Sequence, residues 1–263
     1  MKKIGIIGFG NMGGALAAGL VNMPDKYEII VSELKADRIK LAEEKYNLKN
    51  YPDKAELAAL ADIIIIAVKP QELDTLFKEI REHTINKQII TVCAGRSIDL
   101  FRINLNTDLV TRFMPNLAAM EGQSVVGVAF SERTPAEFKA DCLAIAGAVG
   151  MSCELPESLM PAITGLSGSG IAFVFAFIHA MALGGVASGI NYQQSLAISL
   201  KTIQGALTVL KKHKISPVDM LSKVISPAGT TIKGVEALEK GGFTYAVMDA
   251  ITSATQRAAE LEG

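Results

Sequence analysis

A glycine pattern near the start of the chain constrains the fold more than any other feature. The run GFGNMG at residues 8–13 fits G-x-G-x-x-G and directly follows the apolar, β-branched run Ile4–Ile7. In this pattern the first glycine permits a tight turn, the second lets the backbone approach a pyrophosphate, and the third allows close packing of helix on strand. The helix that follows offers free N–H groups to phosphates. The pattern predicts a dinucleotide-binding unit, and a tight turn without a ligand is the competing interpretation.

Short apolar runs alternate with amphipathic segments up to about residue 155. The run Ile63–Ile66 shows no polar alternation, which is typical of a central parallel strand that is buried on both faces. Amphipathic segments at Lys35–Tyr46 and Gln71–His83 predict helices. The alternation predicts an α/β, doubly wound, Rossmann-type domain over residues 1–155. Its candidate strands are Ile4–Ile7, Tyr27–Val31, Ile63–Val68, Gln88–Val92 and Leu109–Arg112.

After Pro156 the strand pattern ends, and residues 156–263 are predicted to form an all-α domain. The stretch from Ser158 to Leu200 contains no Asp, Glu, Lys or Arg. Its centre is apolar around the whole circumference of a helix, from Ile171 to Leu183. The remaining predicted helices are Tyr192–His213, Pro217–Lys223, Thr230–Lys240 and Thr244–Leu261.

The apolar helix needs cover that a small helical domain cannot supply alone. Residues 171–190 approach the length of about 20 apolar residues that a membrane span requires. They contain His179, Gly184 and Gly185, however, and lack the basic or aromatic flanks that are typical of a span. A helix buried between two copies of the chain explains the pattern better. We therefore expect a homodimer without a membrane, and a need for detergent would favour the membrane alternative.

Charge and cysteine content exclude several functional classes. The 26 basic and 27 acidic residues leave a net charge of −1, which argues against a nucleic-acid or anionic-membrane binder. Cys93, Cys142 and Cys153 are widely spaced, without a CxxC pair or nearby histidines. This spacing predicts neither a disulfide framework nor a metal site, and favours a reducing compartment. Glycines interrupt the first apolar run too early for a signal peptide, so a cytoplasmic location is expected.

Ser32 and Glu33 directly follow the second predicted strand, at the place where dinucleotide-binding domains bind the adenosine ribose. A carboxylate there accepts hydrogen bonds from both ribose hydroxyls and repels a 2′-phosphate, which favours NADH. Lys35 and Arg38 could each bind that phosphate, so NADPH stays open. Lys69, after the next central strand, is either a phosphate contact or a solvated lysine, and Cys93 is interpreted as a packing residue.

Two motifs in the second half suit a small carboxylate. TGLSGSG at 164–170 and SPAGTT at 226–231 each supply backbone N–H groups and hydroxyls at a predicted helix start. Capping and close packing would explain either motif alone, but together with a dinucleotide domain they favour a substrate pocket. Two-domain dehydrogenases of 3-hydroxy acids, which this arrangement resembles, place a Lys and then an Asn one to two turns beyond their glycine motif, whereas residues 171–180 contain neither. Because reduction of a protonated imine needs no acid from the protein, whereas ketone reduction does, this absence favours an imine substrate.

These motifs, with AVKP at 67–70, RFMPN at 112–116 and LEKGGF at 238–243, resemble the pyrroline-5-carboxylate reductase family over nearly the whole chain. The resemblance implies a Rossmann domain, a helical dimerisation domain, and reduction of 1-pyrroline-5-carboxylate to L-proline by NAD(P)H. It also implies a homodimer, and some members assemble five dimers into a decamer. A reductase of another cyclic imino acid and a non-catalytic, reductase-like regulatory protein remain the alternatives.

The resemblance also implies roles for individual residues. The substrate carboxylate would bind the loop that contains Ser226, Gly229, Thr230 and Thr231, with the Thr231 hydroxyl near the ring nitrogen as the catalytic contact. Glu157 matches a further substrate contact. The implied cofactor contacts are Ile7, Gly8, Phe9, Gly10, Asn11, Met12, Ser32, Glu33, Ala67, Val68, Lys69, Pro70, Val92, Cys93 and Ala94.

One departure from the family pattern has a physical consequence. The family's SPGGTT is here SPAGTT, which places Ala228 where a glycine is usual. A Cβ at this position is strained if the backbone requires a positive φ.

Overall fold

The computed structural model describes residues 1–262 and divides the chain into two compact units. The first unit comprises residues 1–169 and 253–262, and the second comprises residues 170–252. The first unit extends beyond the predicted boundary at residue 155 because Met160 and Ile163 are buried in its core. A Cβ on Gly127 would lie 2.9 Å from the Ile163 side chain, which shows how closely this segment packs. The division of function at residue 155 stays a prediction.

An eight-stranded sheet forms the centre of the first unit, in the order β3-β2-β1-β4-β5-β6-β7-β8. All neighbouring strands are parallel except β6 and β7, which are antiparallel. This order confirms the predicted Rossmann-type fold. From β1 the chain adds β2 and β3 on one side and then β4 and the later strands on the other. Such sheets bind their ligands at the point where the order reverses, between β1 and β4. The strands are β1 Lys2–Ile7, β2 Tyr27–Ser32, β3 Lys49–Asn50, β4 Ile63–Ile66, β5 Gln88–Thr91, β6 Val110–Met114, β7 Ser124–Phe130 and β8 Gly150–Glu154.

The helices of the first unit connect these strands. Asp53 caps α3 by accepting a hydrogen bond from the Ala55 N–H at 2.8 Å, and Ser97 caps α5. Asn47 ends α2 in the left-handed conformation, with φ of 54°. The helices are α1 Asn11–Leu20, α2 Ala36–Tyr46, α3 Lys54–Leu60, α4 Leu73–Ile80, α5 Ile98–Leu105, α6 Ala136–Gly147 and α7 Met160–Ile163, followed by a π-helical turn, Thr164–Ser169.

All five predicted strands are confirmed, and three further strands, β3, β7 and β8, were not predicted. Strand β8 has the sequence GMSCE, whose small and polar residues carry little strand propensity. It lies at the sheet edge, and Gly150, with φ of 151°, sits so close to β7 that a Cβ would lie 2.0 Å from the Ser124 carbonyl oxygen. Pairing with β7 therefore produces the strand, rather than local preference.

Two hydrophobic clusters cover the two faces of the sheet. The isoleucines of β4 alternate between them: Ile63 and Ile65 belong to one cluster, and Ile64 and Ile66 belong to the other. All four are completely buried, which confirms the prediction of a central strand. This apolar frame holds the carboxyl ends of β1, β4 and β5 in place.

The second unit is helical, as predicted. Its helices are α8 Gly170–Ala187, α9 Tyr192–His213, α10 Pro217–Val224, α11 Thr230–Lys240 and α12 Phe243–Glu260, the last of which ends in the first unit. Helix α8 contacts α9 closely at Gly185, where a Cβ would lie 1.9 Å from the Ser195 Oγ. That hydroxyl donates a hydrogen bond to the Ala182 carbonyl oxygen at 2.7 Å.

A single protomer leaves most of α8 uncovered. The continuous helical stretch Glu157–Ala187 is long and apolar enough to cross a membrane, and its most apolar window of 18 residues has a mean hydropathy of 2.0, yet only 6% of that window is buried. Phe175 and Leu183 are 54% and 50% exposed. Exposed apolar surface on this scale requires a partner surface.

Candidate functional site

A cavity of about 750 Å³ opens in the first unit at the carboxyl ends of β1, β4 and β5. This volume lies within the range that is typical of small-molecule binding sites. It contains every cofactor position implied by the sequence except Phe9. Those lining it are Ile7, Gly8, Gly10, Asn11, Met12, Ser32, Glu33, Ala67, Val68, Lys69, Pro70, Val92, Cys93 and Ala94.

The glycine turn has the geometry that a dinucleotide requires. Gly8 has φ of +96°, and a Cβ there would lie 2.7 Å from the Ala67 carbonyl oxygen. A Cβ on Gly13 would lie 2.0 Å from the Gly8 carbonyl oxygen. Around Gly10, by contrast, the nearest atom to a Cβ would be the Arg38 guanidinium, at 3.5 Å. The turn is therefore tight at Gly8 and Gly13, and open to the cavity at Gly10, where a pyrophosphate can approach the backbone.

Phe9 is a core residue and does not line the cavity. Its side chain is 2% exposed and packs edge-on against Tyr46, with ring centroids 6.2 Å apart. Its backbone N–H donates a hydrogen bond to the Glu33 Oε2 at 3.0 Å. The role of Phe9 is thus to connect the glycine turn to the end of β2.

The Glu33 carboxylate is bound by the protein's own backbone. Besides the bond from Phe9, its Oε1 accepts hydrogen bonds from the N–H groups of Leu34 at 2.8 Å and Lys35 at 3.0 Å, and the Arg38 Nη1 lies 3.5 Å from Oε2. Burial alone would raise the pKa of Glu33, but these hydrogen bonds and the Arg38 charge lower it below the ordinary value. The structure uses the carboxylate to close the turn after β2, and the ribose contact of Glu33 stays a prediction.

Cationic side chains surround the same end of the cavity. Lys35, Arg38 and Lys54 all line it, and Lys54 also pairs with Glu79 at 2.7 Å. The Ser32 hydroxyl is buried and has no hydrogen-bond partner within residues 1–262. The resemblance places Lys54 where family members often have an Asn that touches the cofactor, whereas the sequence did not single out Leu34, Gln71, Glu72, Thr75 or Leu76, because most of them follow the strand ends by a full turn or more.

Cys93 follows β5, three strands away from the end of β2 that carries Glu33. Its Sγ donates a hydrogen bond to the Val68 carbonyl oxygen at 3.3 Å, and its backbone N–H bonds to the Thr91 hydroxyl at 3.2 Å. Burial raises the pKa of the Cys93 thiol, so the group is neutral near pH 7. These contacts connect the loops after β4 and β5.

The implied substrate loop lies in the second unit, between α10 and α11. The Gly229 N–H donates to the Ser226 carbonyl oxygen at 3.0 Å, and a Cβ on Gly229 would lie 2.2 Å from the Ser226 Oγ. Gly229 is the N-cap of α11, so Thr230 and Thr231 lie in its first turn. The structure thus brings these four residues together at a helix start, where N–H groups lack helical partners.

Glu157 belongs to the first unit and is bound there. Its Oε1 accepts a hydrogen bond from the Ile98 N–H at 2.7 Å and lies 3.5 Å from the Arg112 Nη1. Arg112 itself is 1% exposed. Sequence reasoning recognised Arg112 only as part of a motif and did not connect it with Glu157.

Asn116, from the same RFMPN motif, holds the π-helical turn Thr164–Ser169. Its Nδ2 donates hydrogen bonds to the Ser167 carbonyl oxygen at 3.3 Å and to the Ser167 Oγ at 3.0 Å. Such turns are frequent at functional sites. Within residues 1–262 no group of three or more His, Cys, Asp or Glu side chains is arranged to hold a metal ion.

Comparison with known proteins gives consistent matches over the whole chain. Residues 157–261 match the model for pyrroline-5-carboxylate reductase dimerisation, and residues 3–95 match the model for NADP oxidoreductase, coenzyme F420-dependent. The pyrroline-5-carboxylate reductase of Methanosarcina acetivorans is 37% identical, over 99% of this chain and 98% of its own.

Solved structures agree with these matches. A pyrroline-5-carboxylate reductase from Coxiella burnetii matches 100% of this chain and 99% of its own, with a TM-score of 0.92 and 26% identity. The pyrroline carboxylate reductase of Plasmodium falciparum with NADP bound matches 100% and 98%, with a TM-score of 0.86 and 26% identity.

The glycine turn generates a prediction with a matched control on the same helix. Gly13→Ala would force a Cβ against the Gly8 carbonyl oxygen, so we expect a stability loss of about 1–3 kcal/mol and at least about tenfold weaker dinucleotide binding. Gly14→Ala meets only the Phe9 ring, at 3.7 Å, and should be neutral or stabilising by up to about 1 kcal/mol. Thermal melting and fluorescence titration with NADH and NADPH measure both effects. Equal behaviour of the two variants would contradict the prediction.

The substrate loop generates a second prediction. Ala228 has φ of +55°, a left-handed conformation that costs a residue with a Cβ about 1 kcal/mol. Ala228→Gly should therefore raise the free energy of unfolding by about that amount. Ala237→Gly, an exposed position inside α11, should lower it by about 0.5–1 kcal/mol. Denaturant unfolding gives both values, and a loss of stability in Ala228→Gly would show that the loop is not strained.

Proposed function

The chain belongs to the pyrroline-5-carboxylate reductase family, and we propose that it reduces 1-pyrroline-5-carboxylate to L-proline by hydride transfer from NADPH or NADH, the last step of proline biosynthesis. One observation carries the proposal: a chain that is 37% identical over its whole length to a pyrroline-5-carboxylate reductase keeps both the glycine-lined cavity and the SPAGTT helix start. A reductase of another cyclic imino acid is the alternative within the same chemistry.

The first unit binds the cofactor, which supplies the hydride from its nicotinamide ring when bound. Gly10 exposes its backbone to the cavity, and the first turn of α1 presents N–H groups and the positive end of the helix dipole to the pyrophosphate. Val92 and Ala94 supply small side chains at the end of β5, where the ring needs space. The neutral Cys93 thiol packs there and does not act as a nucleophile.

The second unit binds the substrate carboxylate in this proposal. The backbone N–H groups of Thr230 and Thr231, at the start of α11, donate hydrogen bonds to the carboxylate oxygens. The Thr231 hydroxyl orients the ring nitrogen, and Ser226 completes the loop. Glu157 stays a proposed substrate contact through its Oε2, because its bonds to Ile98 and Arg112 both use Oε1.

Imine chemistry fits the side chains on α8. Hydride addition to the carbon of a protonated C=N bond leaves a neutral amine, so the protein need not supply a proton. His179 is the ionisable group that the sequence identified on this helix, and its Nδ1 lies 3.1 Å from the Tyr192 hydroxyl. Catalysis then depends on holding the two reactants together and excluding water.

We extend the proposal to both nicotinamide cofactors. Glu33 favoured NADH in the sequence because a carboxylate repels a 2′-phosphate. In the structure three backbone N–H groups and Arg38 compensate its charge, which weakens that repulsion. Lys35 and Arg38 line the cavity and can bind the 2′-phosphate of NADPH. A relative of known structure has NADP bound.

The oligomeric state follows from the exposed helix α8. Residues 157–261 match a dimerisation domain, and Phe175 and Leu183 are half exposed in one protomer. In our proposal a second copy of the chain covers this surface, in a cytoplasmic homodimer. Assembly of five dimers into a decamer and association with a membrane are distinct outcomes of the experiment below.

Steady-state turnover of pyrroline-5-carboxylate with NADPH and with NADH tests the reaction. Thr231→Ala should lower kcat/KM by about tenfold, the value of one hydrogen bond to a charged group. Thr208→Ala removes a hydroxyl that bonds only within α9, to the Gln204 carbonyl oxygen, and should leave kcat/KM unchanged. Folded wild-type protein without turnover on either cofactor would leave the non-catalytic interpretation.

Phe175→Glu tests the assembly. A carboxylate on the exposed face of α8 cannot be buried against a second copy without a large desolvation cost, so we expect loss of the dimer and a much lower melting temperature. Ile103→Glu changes an isoleucine that is 72% exposed in α5, outside the dimerisation match, and should leave the dimer intact. Light scattering distinguishes the states. A stable, active wild-type monomer would refute the dimer, and a requirement for detergent would support the membrane alternative.

A further inference from the structure

Arg112 is a buried cation on β6, next to the strand whose end leads into the cavity. It pairs in register with Thr91, the last residue of β5, and the segment Val92–Gly95, here named the cofactor loop, follows at once. Val92, Cys93 and Ala94 of this loop line the cavity. At 1% exposure Arg112 needs anionic partners, since an unpaired buried charge is strongly destabilising.

Two carboxylates bind the Arg112 guanidinium from different parts of the chain. The Glu157 Oε1 lies 3.5 Å from Nη1, and Nη2 donates a short hydrogen bond to the Glu262 Oε1. Both carboxylates are partly exposed, whereas the guanidinium is not. Arg112, on β6, therefore binds two segments that lie outside the sheet.

One of these segments contacts the cofactor loop, and the other contacts the helix that follows it. Glu157 accepts a hydrogen bond from the Ile98 N–H, at the start of α5, which follows the loop. Leu261, beside Glu262, touches the loop itself: Gly95 has φ of +66°, and a Cβ there would lie 2.9 Å from the Leu261 carbonyl oxygen. The loop thus begins at the end of β5, packs against the residues after α12 at Gly95, and leads into α5, whose first N–H groups include the one that Glu157 binds.

We infer that Arg112 is a positioning residue for the cofactor, and that Glu262 is the partner through which it acts on the cofactor loop. The Arg112–Glu262 bond holds Leu261 against Gly95, which keeps Val92, Cys93 and Ala94 in the conformation that forms the cavity wall. Neither side chain lines the cavity. The inference rests on the proposed binding of a nicotinamide cofactor there.

Glu262→Ala is the decisive variant, because Arg112→Met can fail to fold. It removes the acceptor while Arg112 keeps Glu157. We expect the Kd of NADPH and of NADH, measured by fluorescence titration, to rise about fivefold, a fraction of the value of one charge-assisted hydrogen bond. Backbone amides of residues 92–97 should exchange hydrogen faster in the protein without cofactor. The KM for pyrroline-5-carboxylate at saturating cofactor should not change.

Glu260→Ala is the matched control, since within residues 1–262 Glu260 pairs only with side chains of its own helix, Arg257 and Gln256. It should leave the Kd values and the exchange rates as in wild type, and Glu262→Gln, which keeps an acceptor oxygen, should lie between wild type and Glu262→Ala. Unchanged cofactor Kd in Glu262→Ala would overturn the inference, even if the melting temperature falls, because the bond would then be structural only. Wild-type protein that binds neither dinucleotide would overturn the proposed function, and this inference with it.

Discussion

The contact between Gly13 and the Gly8 carbonyl oxygen is the constraint on which the rest of the cavity in the first unit depends. A Cβ on Gly13 would lie 2.0 Å from that oxygen, so α1 can begin directly above β1 only when both positions are glycine. This close approach brings the first turn of α1 to the edge of the sheet. The same edge carries the ends of β2, β4 and β5, and together they form the cavity.

Charged side chains near this edge form contacts that stabilise the surrounding backbone. Glu33 closes the turn after β2 by accepting hydrogen bonds from three backbone N–H groups, and Arg38 balances its charge. Arg112 and its two carboxylates hold the far side, below the loop after β5. In both places an ionised side chain is stabilised by fixed partners, which lowers the cost of burying it. The protein's own groups therefore compensate the charges on both sides of the cavity.

The helical unit poses a different physical problem. Helix α8 packs on α9 at Gly185, and its Phe177 packs against Phe243, but within residues 1–262 most of its apolar surface stays exposed. Burial of such surface is the dominant favourable term in association, so folding of this unit is expected to depend on a second copy. The match of residues 157–261 to a dimerisation domain likewise indicates that this part of the chain associates with a second copy.

The sequence alone determined the Rossmann-type domain, the helical second half, the glycine turn and the need to cover α8, because glycine spacing and hydrophobic periodicity are local properties of the chain. It did not reveal β8, whose strand conformation comes from pairing with β7, nor the partners of Glu33, Arg112 and Asn116. Arg112 and Glu262 are 150 positions apart, and no local pattern records that they meet. Tertiary structure alone decided these contacts, because a buried charge selects its partners by position in space and not by distance along the chain.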